Sequence, residues 1–126
     1  MNKKEIIETD QAPPAIGAYS QATKYNGCVY VSGQLPMDSA GNLVEGTVAE
    51  KTHAVMKNIR AILKQAGSSF DNVLKARVYV DDLGNFEEVN KVYGKYFSDN
   101  PPSRAFVQVV RLPKNAPLEI EVVAAV

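Results

Sequence analysis

This chain has few soft ligands and no excess of charge of either sign. A single cysteine, Cys28, excludes an internal disulfide, and a single histidine, His53, leaves too few ligands for a structural zinc site. The fold must be held by its apolar core. Fourteen Lys and Arg balance fourteen Asp and Glu for a formal net charge of +0, so total charge steers the chain toward neither nucleic acid nor an anionic membrane. No stretch approaches the roughly 18 apolar residues of a membrane span, and the opening MNKKEIIETDQAPP has no apolar signal region. A reducing cytoplasm is the expected compartment. At 126 residues the chain is expected to form one domain, spanning 1–126, with one core.

Turn residues divide the chain at short, regular intervals. APPAIGAY (Ala12 to Tyr19) is a Pro/Gly connector, and Asn26-Gly27 before a β-branched run is a hairpin signal. Strands are expected over Glu5 to Glu8, Ser20 to Tyr25 and Cys28 to Gln34. Thr47 and Glu50 have capping-box spacing, and the stripe Val48, Val55, Met56, Ile59, Ile62, Leu63, Ala66 predicts a helix that Gly67 ends. NVLKARVYVDD alternates as a strand, with Val73, Lys75, Arg77 and Tyr79 opposite Leu74, Ala76, Val78 and Val80. A second helix, about Asn85 to Ser98, is expected to pack through Phe86, Val89, Tyr93 and Phe97 before DNPP (Asp99 to Pro102) breaks it. The final pair of strands around LPKNAP reads as an antiparallel hairpin. The order βββ-α-β-α-ββ defines an α+β class with a mixed sheet.

Two helices cover only one face of such a sheet, yet CVYVSG, AFVQVV and LEIEVVAAV carry successive apolar residues, the pattern of strands buried on both faces. Another copy of the chain is the simplest cover, as in closed homo-oligomers, the alternative being one exposed apolar patch of the size that monomers often tolerate.

Charges inside these apolar strands mark the chemistry. Arg104 opens a strand and keeps its charge at any ordinary pH, so it needs an anionic partner. Its planar fork matches a small carboxylic acid, or it pairs across the hairpin with Glu119 or Glu121. Glu119 and Glu121 lie two apart and share a strand face. Either both face solvent, or one neutralises a base while the other handles water or a proton. Cys28 reads as a small core side chain and His53 as a solvated residue beside Lys57 and Arg60. Gly33, at the strand end within VSGQ (Val31 to Gln34), marks a bulge or a close approach of backbone to a ligand. The chain contains no phosphate loop and no GxSxG elbow.

The segments APPAIGAYSQA, VYVSGQLPMD, NIRAILKQAGSSFDNVLKARVYVDDL, FEEVNKVYGKYF and PPSRAFVQVVRLPKNAPLEIEVVAAV together resemble the reactive intermediate deaminase family, RidA or YjgF, in order and spacing from Ala12 to the C-terminus. The resemblance implies a chorismate-mutase-like fold in a homotrimer, with a central barrel and sites in clefts between subunits. It implies hydrolysis of 2-imino acids such as 2-iminobutanoate and 2-iminopropanoate to 2-oxo acids and ammonia, with no cofactor and no metal. Carried over by position, the substrate-binding arginine falls on Arg104 and the water-handling glutamate on Glu119, with Tyr19, Ser32, Gly33 and Asn90 as further site residues. Phe106 stands where many members have cysteine or alanine, and its bulk is expected to narrow the pocket. A non-catalytic 2-oxo-acid-binding protein on the same trimer is the alternative. Nucleic acid and membrane are not expected partners.

Overall fold

The computed structural model describes residues 3–97 and 99–126. Six strands, β1 (Glu5–Ile7), β2 (Ala22–Tyr25), β3 (Cys28–Gln34), β4 (Val73–Val80), β5 (Ser103–Gln108) and β6 (Leu118–Ala125), form one sheet in the order β1-β2-β3-β6-β4-β5. Two helices, α1 (Val48–Gln65) and α2 (Phe86–Tyr96), accompany it. The α+β class and the strand and helix order agree with the sequence pattern. Among the described residues no helix is long and apolar enough to cross a membrane.

Local chemistry explains the elements that were legible. Asn26 and Gly27 both adopt positive φ, 51° and 83°, which the tight turn between β2 and β3 requires. The Thr47 side chain accepts from the Glu50 backbone N–H while the Glu50 carboxylate accepts from that of Thr47, a complete capping box worth about 1 kcal/mol. Glu88 of α2 also accepts from the Ala49 N–H at 2.9 Å, placing a second carboxylate at the positive end of α1. Val55, Met56, Ile59, Ile62 and Leu63 of α1 are buried against Val29, Val78, Ile120 and Val122 of the sheet. Each such side chain stabilises the fold by roughly 1.5–3 kcal/mol.

Four expectations need correction. The last two strands do not form a hairpin. β4 lies between them, antiparallel to β6 and parallel to β5, because the β4-α2-β5 crossover delivers β5 to the outer edge. The alternation of β4 breaks at Leu74: the register jumps between Val73 and Lys75, so Val73 joins Ala76, Val78 and Val80 in the core while Leu74 is exposed. Cys28 starts β3 half-buried rather than in the core. The second helix begins at Phe86, itself partly exposed, with Val89, Val92 and Tyr93 as its buried face; Ser98 lies outside the described residues.

The helices lie on one side of the sheet. On the other side the single chain leaves Tyr30 48% and Val107 43% exposed.

Candidate functional site

A cleft of about 800 Å³ opens at the end of the uncovered face, lined by Tyr19, Ser32, Gly33, Met37, Lys114, Glu119 and Glu121 among others. Two buried amides behind the cleft brace segments that line it. Gln21 Oε1 accepts from the Thr9 N–H at 2.7 Å and its Nε2 donates to the Pro13 carbonyl at 2.8 Å, tying the entrance of the Ala12–Tyr19 connector to β2. Asn58 of α1 donates to the Met37 carbonyl at 2.8 Å, holding the segment after β3 against the helix. Such bonds satisfy groups whose unpartnered burial would cost about 1–3 kcal/mol each.

Within the cleft β3 bulges. Val31 pairs with Val122 and Gln34 with Ile120, so three steps on β3 face two on β6. Ser32 sits in the bulge, its N–H donating to the Gln21 carbonyl at 2.9 Å and its hydroxyl to the Ser20 carbonyl at 2.6 Å. The next residue must be glycine for a steric reason: a Cβ at Gly33 would stand 1.9 Å from Glu119 Oε2. The close approach predicted for Gly33 is therefore to a carboxylate of the neighbouring strand.

Glu119 is half-buried at the floor of this cleft. Burial first, and then the charge of Glu121, push its carboxyl above the usual carboxylate range. Glu121 has partners: Tyr79 donates to its Oε1 at 2.5 Å, and Arg77 Nη1 lies 3.8 Å from Oε2. The two glutamates share a strand face as their spacing requires, while Leu118, Ile120 and Val122 point into the core.

Arg104 stands elsewhere. Its register partner on β4 is Ala76, a core residue, so its side chain leaves the sheet on the helix side. There Nη1 donates to Asn90 Oδ1 at 2.7 Å, and the guanidinium carbon lies 4.9 Å from the Tyr93 ring centre, 5.2 Å from Phe106 and 5.9 Å from Phe86. Phe86 and Phe106 pack at 4.7 Å between ring centres. Cation–π contact and one hydrogen bond hold the fork on an exposed edge strand, with donors to spare for an anion. The guanidinium and desolvation act oppositely on the buried Tyr93: desolvation dominates and raises its phenol.

The residues singled out from sequence thus fall into two groups. Tyr19, Ser32, Gly33 and Glu119 share the cleft; Arg104, Asn90 and Phe106 share the edge of the opposite face. An ion pair of Arg104 with Glu119 or Glu121 is ruled out within the chain by this geometry. Sequence reasoning placed Tyr79 on a strand and Tyr93 in the packing of a helix but gave neither of them, nor Lys114, a place in the site. Tyr79 could have been found from its two-residue spacing to Arg77 on an alternating strand. His53, read as solvated, is half-buried with Nδ1 2.8 Å from the Tyr96 hydroxyl, linking the two helices.

Comparison with known proteins defines the class. The family model described as Endoribonuclease L-PSP matches residues 9–126. The 2-iminobutanoate/2-iminopropanoate deaminase of Rattus norvegicus is 48% identical over 96% of this chain and 89% of its own length. Among solved structures, yeast Mmf1 superposes with a TM-score of 0.96 at 43% identity, covering 98% of each chain. E. coli TdcF with bound serine does so with a TM-score of 0.92 at 37% identity, covering 97% of this chain and 98% of its own. The fold is that of the RidA/YjgF structures. The chain belongs to the RidA/YjgF family.

Proposed function

We propose that this protein is a 2-imino acid deaminase, hydrolysing 2-iminobutanoate and 2-iminopropanoate to 2-oxo acids and ammonia without a cofactor, and that it works as a homotrimer. One observation carries the reading. The Arg104 guanidinium, with donors to spare, and the half-buried Glu119 carboxyl lie on opposite sides of one sheet, so a seam between protomers is where they can meet. The exposed apolar face, with Tyr30 and Val107, supplies the surface for that seam. Relatives named as deaminases, the rat protein among them, support the reaction.

In the proposed reaction Arg104 grips the substrate carboxylate and fixes the C=N group over Glu119. Ionised Glu119 takes a proton from water as the water oxygen bonds to the imine carbon, and the π electron pair passes to nitrogen, which takes up a proton from bulk water. The resulting carbinolamine loses its C–N bond: nitrogen accepts the proton from Glu119 and leaves as ammonia, while the hydroxyl oxygen forms C=O and returns its own proton to bulk water, so that imine and water become oxo acid and ammonia with Glu119 ionised again. Imines are electrophilic enough that positioning and one proton carrier suffice. Phe106, packed on Phe86 beside Arg104, restricts the site to short side chains. The single cysteine suits a reducing cytoplasm.

The direct test couples a threonine dehydratase to semicarbazide trapping of the released imine. The protein is expected to suppress trapping in proportion to its concentration; unchanged trapping rejects the catalytic reading. TdcF with bound serine favours a second reading, in which a small amino or oxo acid is held without turnover. Calorimetric binding of 2-oxobutanoate alongside a negative trapping assay would select it. A ribonuclease reading is weaker, because the cleft presents Glu119 and Glu121 to any phosphate and the net charge of +0 gives no steering.

Gly33→Ala provides an internal check. The clash is with the free end of a side chain, so the fold is expected to survive while the Glu119 carboxylate is driven from its seat. Loss of roughly tenfold or more in kcat, with an unchanged circular dichroism spectrum, is the expected result. Full activity would detach Glu119 placement from the reaction.

A further inference from the structure

The carboxylate next to Glu119 has been given no task by the reaction, although it is the better anchored of the two. Glu121 is two residues from Glu119 on the same face of β6 and lines the same cleft. β4 presents both of its partners. Tyr79, register partner of Glu119, reaches diagonally to Glu121 Oε1 at 2.5 Å, and Arg77, register partner of Glu121, flanks Oε2 at 3.8 Å. The consequence of the hydrogen bond is visible on the phenol, which the Glu121 carboxylate raises above its ordinary range more than burial does. Glu119, by contrast, is held from below by the bulge at Gly33. One carboxylate is fixed by a donor and a cation, and the other is left free to exchange a proton.

We propose that Glu121, pinned by Tyr79 and Arg77, is a positioning residue for imine hydrolysis, its fixed charge beside Glu119 setting how readily Glu119 takes and returns a proton. This rests on the deaminase reading above and extends it to three residues, Glu121, Tyr79 and Arg77, to which the proposed reaction gives no bond-making step. The physical need is specific. Glu119 must accept a proton when water adds and surrender the same proton when nitrogen leaves, which is most efficient when its affinity for protons suits the working pH. A half-buried carboxyl is moved in that direction by desolvation, and an adjacent negative charge moves it further. A mobile neighbour would do so intermittently; a clamped one does so at every turnover. Among the described residues, Tyr19 and Lys114 from the loops line the cleft with Glu119, Arg77 and Tyr79 face its side of the sheet from β4, and β3 presents Ser32 and Gly33 to the cleft with Tyr30 farther along the same face.

The experiment compares wild type with Glu121→Gln, Glu121→Asp and Tyr79→Phe by two readouts. One is a carbon NMR titration of the Glu119 carboxyl without substrate; the other is the pH dependence of kcat/KM for the imine. Glu119 acts first as a base, so activity rises as pH passes its titration, and removing the neighbouring charge must move that rise to lower pH. Glu121→Gln is expected to shift the NMR midpoint and the acid limb downward together and to lower kcat at neutral pH on the order of tenfold. Tyr79→Phe, which keeps the ring in the strand, is expected to shift both in the same direction by less, and carries the test should Glu121→Gln fail to fold. Glu121→Asp, retaining the charge, is expected to keep the profile near wild type. A fixed NMR midpoint in Glu121→Gln overturns the proposal, as does a loss of rate with the pH profile unmoved. Absent turnover by wild type would remove the reaction and this role with it, while the titration would still reveal whether Glu121 governs Glu119.

Discussion

Arg104→Ala is expected to lower kcat/KM for a 2-imino acid by roughly a hundredfold to a thousandfold while leaving the fold and the oligomer intact. The magnitude follows from losing a charge-assisted, bidentate grip on a carboxylate, for which truncating one partner of a desolvated pair costs about 2–5 kcal/mol. The fold is spared because Arg104 is exposed. It gives up one bond to Asn90 and its stacking on Tyr93, Phe86 and Phe106, contacts worth about 0.5–1 kcal/mol each at such a site. Arg104→Lys sharpens the test. A lysine keeps the charge but lacks the planar fork, so activity is expected to remain at least tenfold below wild type, with most of the change in KM. Steady-state kinetics with both variants, and light scattering to confirm the assembly, would decide it. Wild-type turnover by Arg104→Ala would end the clamp.

Glu119→Gln is expected to abolish most turnover, by about 10²–10⁴ in kcat, since an amide can neither accept nor return the proton. Its effect on stability runs the other way. The folded state raises the Glu119 carboxyl above its ordinary range, through burial and then Glu121, so over that interval the folded chain binds more protons than the unfolded one. Stability contributed by this group is full below the ordinary carboxylate range and is lost as pH rises through the raised value. Glutamine has no such loss. Thermal melts should find Glu119→Gln at least as stable as wild type at pH 8, with the difference closing toward pH 4. A variant that is inactive and also markedly less stable at pH 8 would show that Glu119 serves packing rather than proton transfer.

Much of this architecture was legible because it is written in local chemistry. Thr47 with Glu50, and Asn26 with Gly27, declare a helix start and a hairpin through bonds and dihedral angles spanning four residues or fewer. The β5–β6 hairpin was misread for the opposite reason. LPKNAP has the residues of a turn, and Lys114 and Asn115 do adopt positive φ, but nothing local announces that β4 inserts between the flanking strands. Leu74 was misplaced because an apolar residue on an alternating strand conceals a bulge. The site shows the same division. Arg104 and Glu119 were conspicuous as charges in apolar strands, and their types indicated a carboxylate grip and a proton carrier. Which side of the sheet each occupies depends on the register of β5 and β6 against β4, a long-range property that spacing within one strand does not encode.

That opposed placement has an outcome for how the protein is switched. No side-chain rotation can bring the Arg104 fork through a sheet to the Glu119 carboxyl, so under the proposed reaction a lone, well-folded chain would be inert. Dilution alone would then silence the protein without unfolding any of it, and a small molecule wedged against the bare side of the sheet would inhibit without ever competing for the substrate.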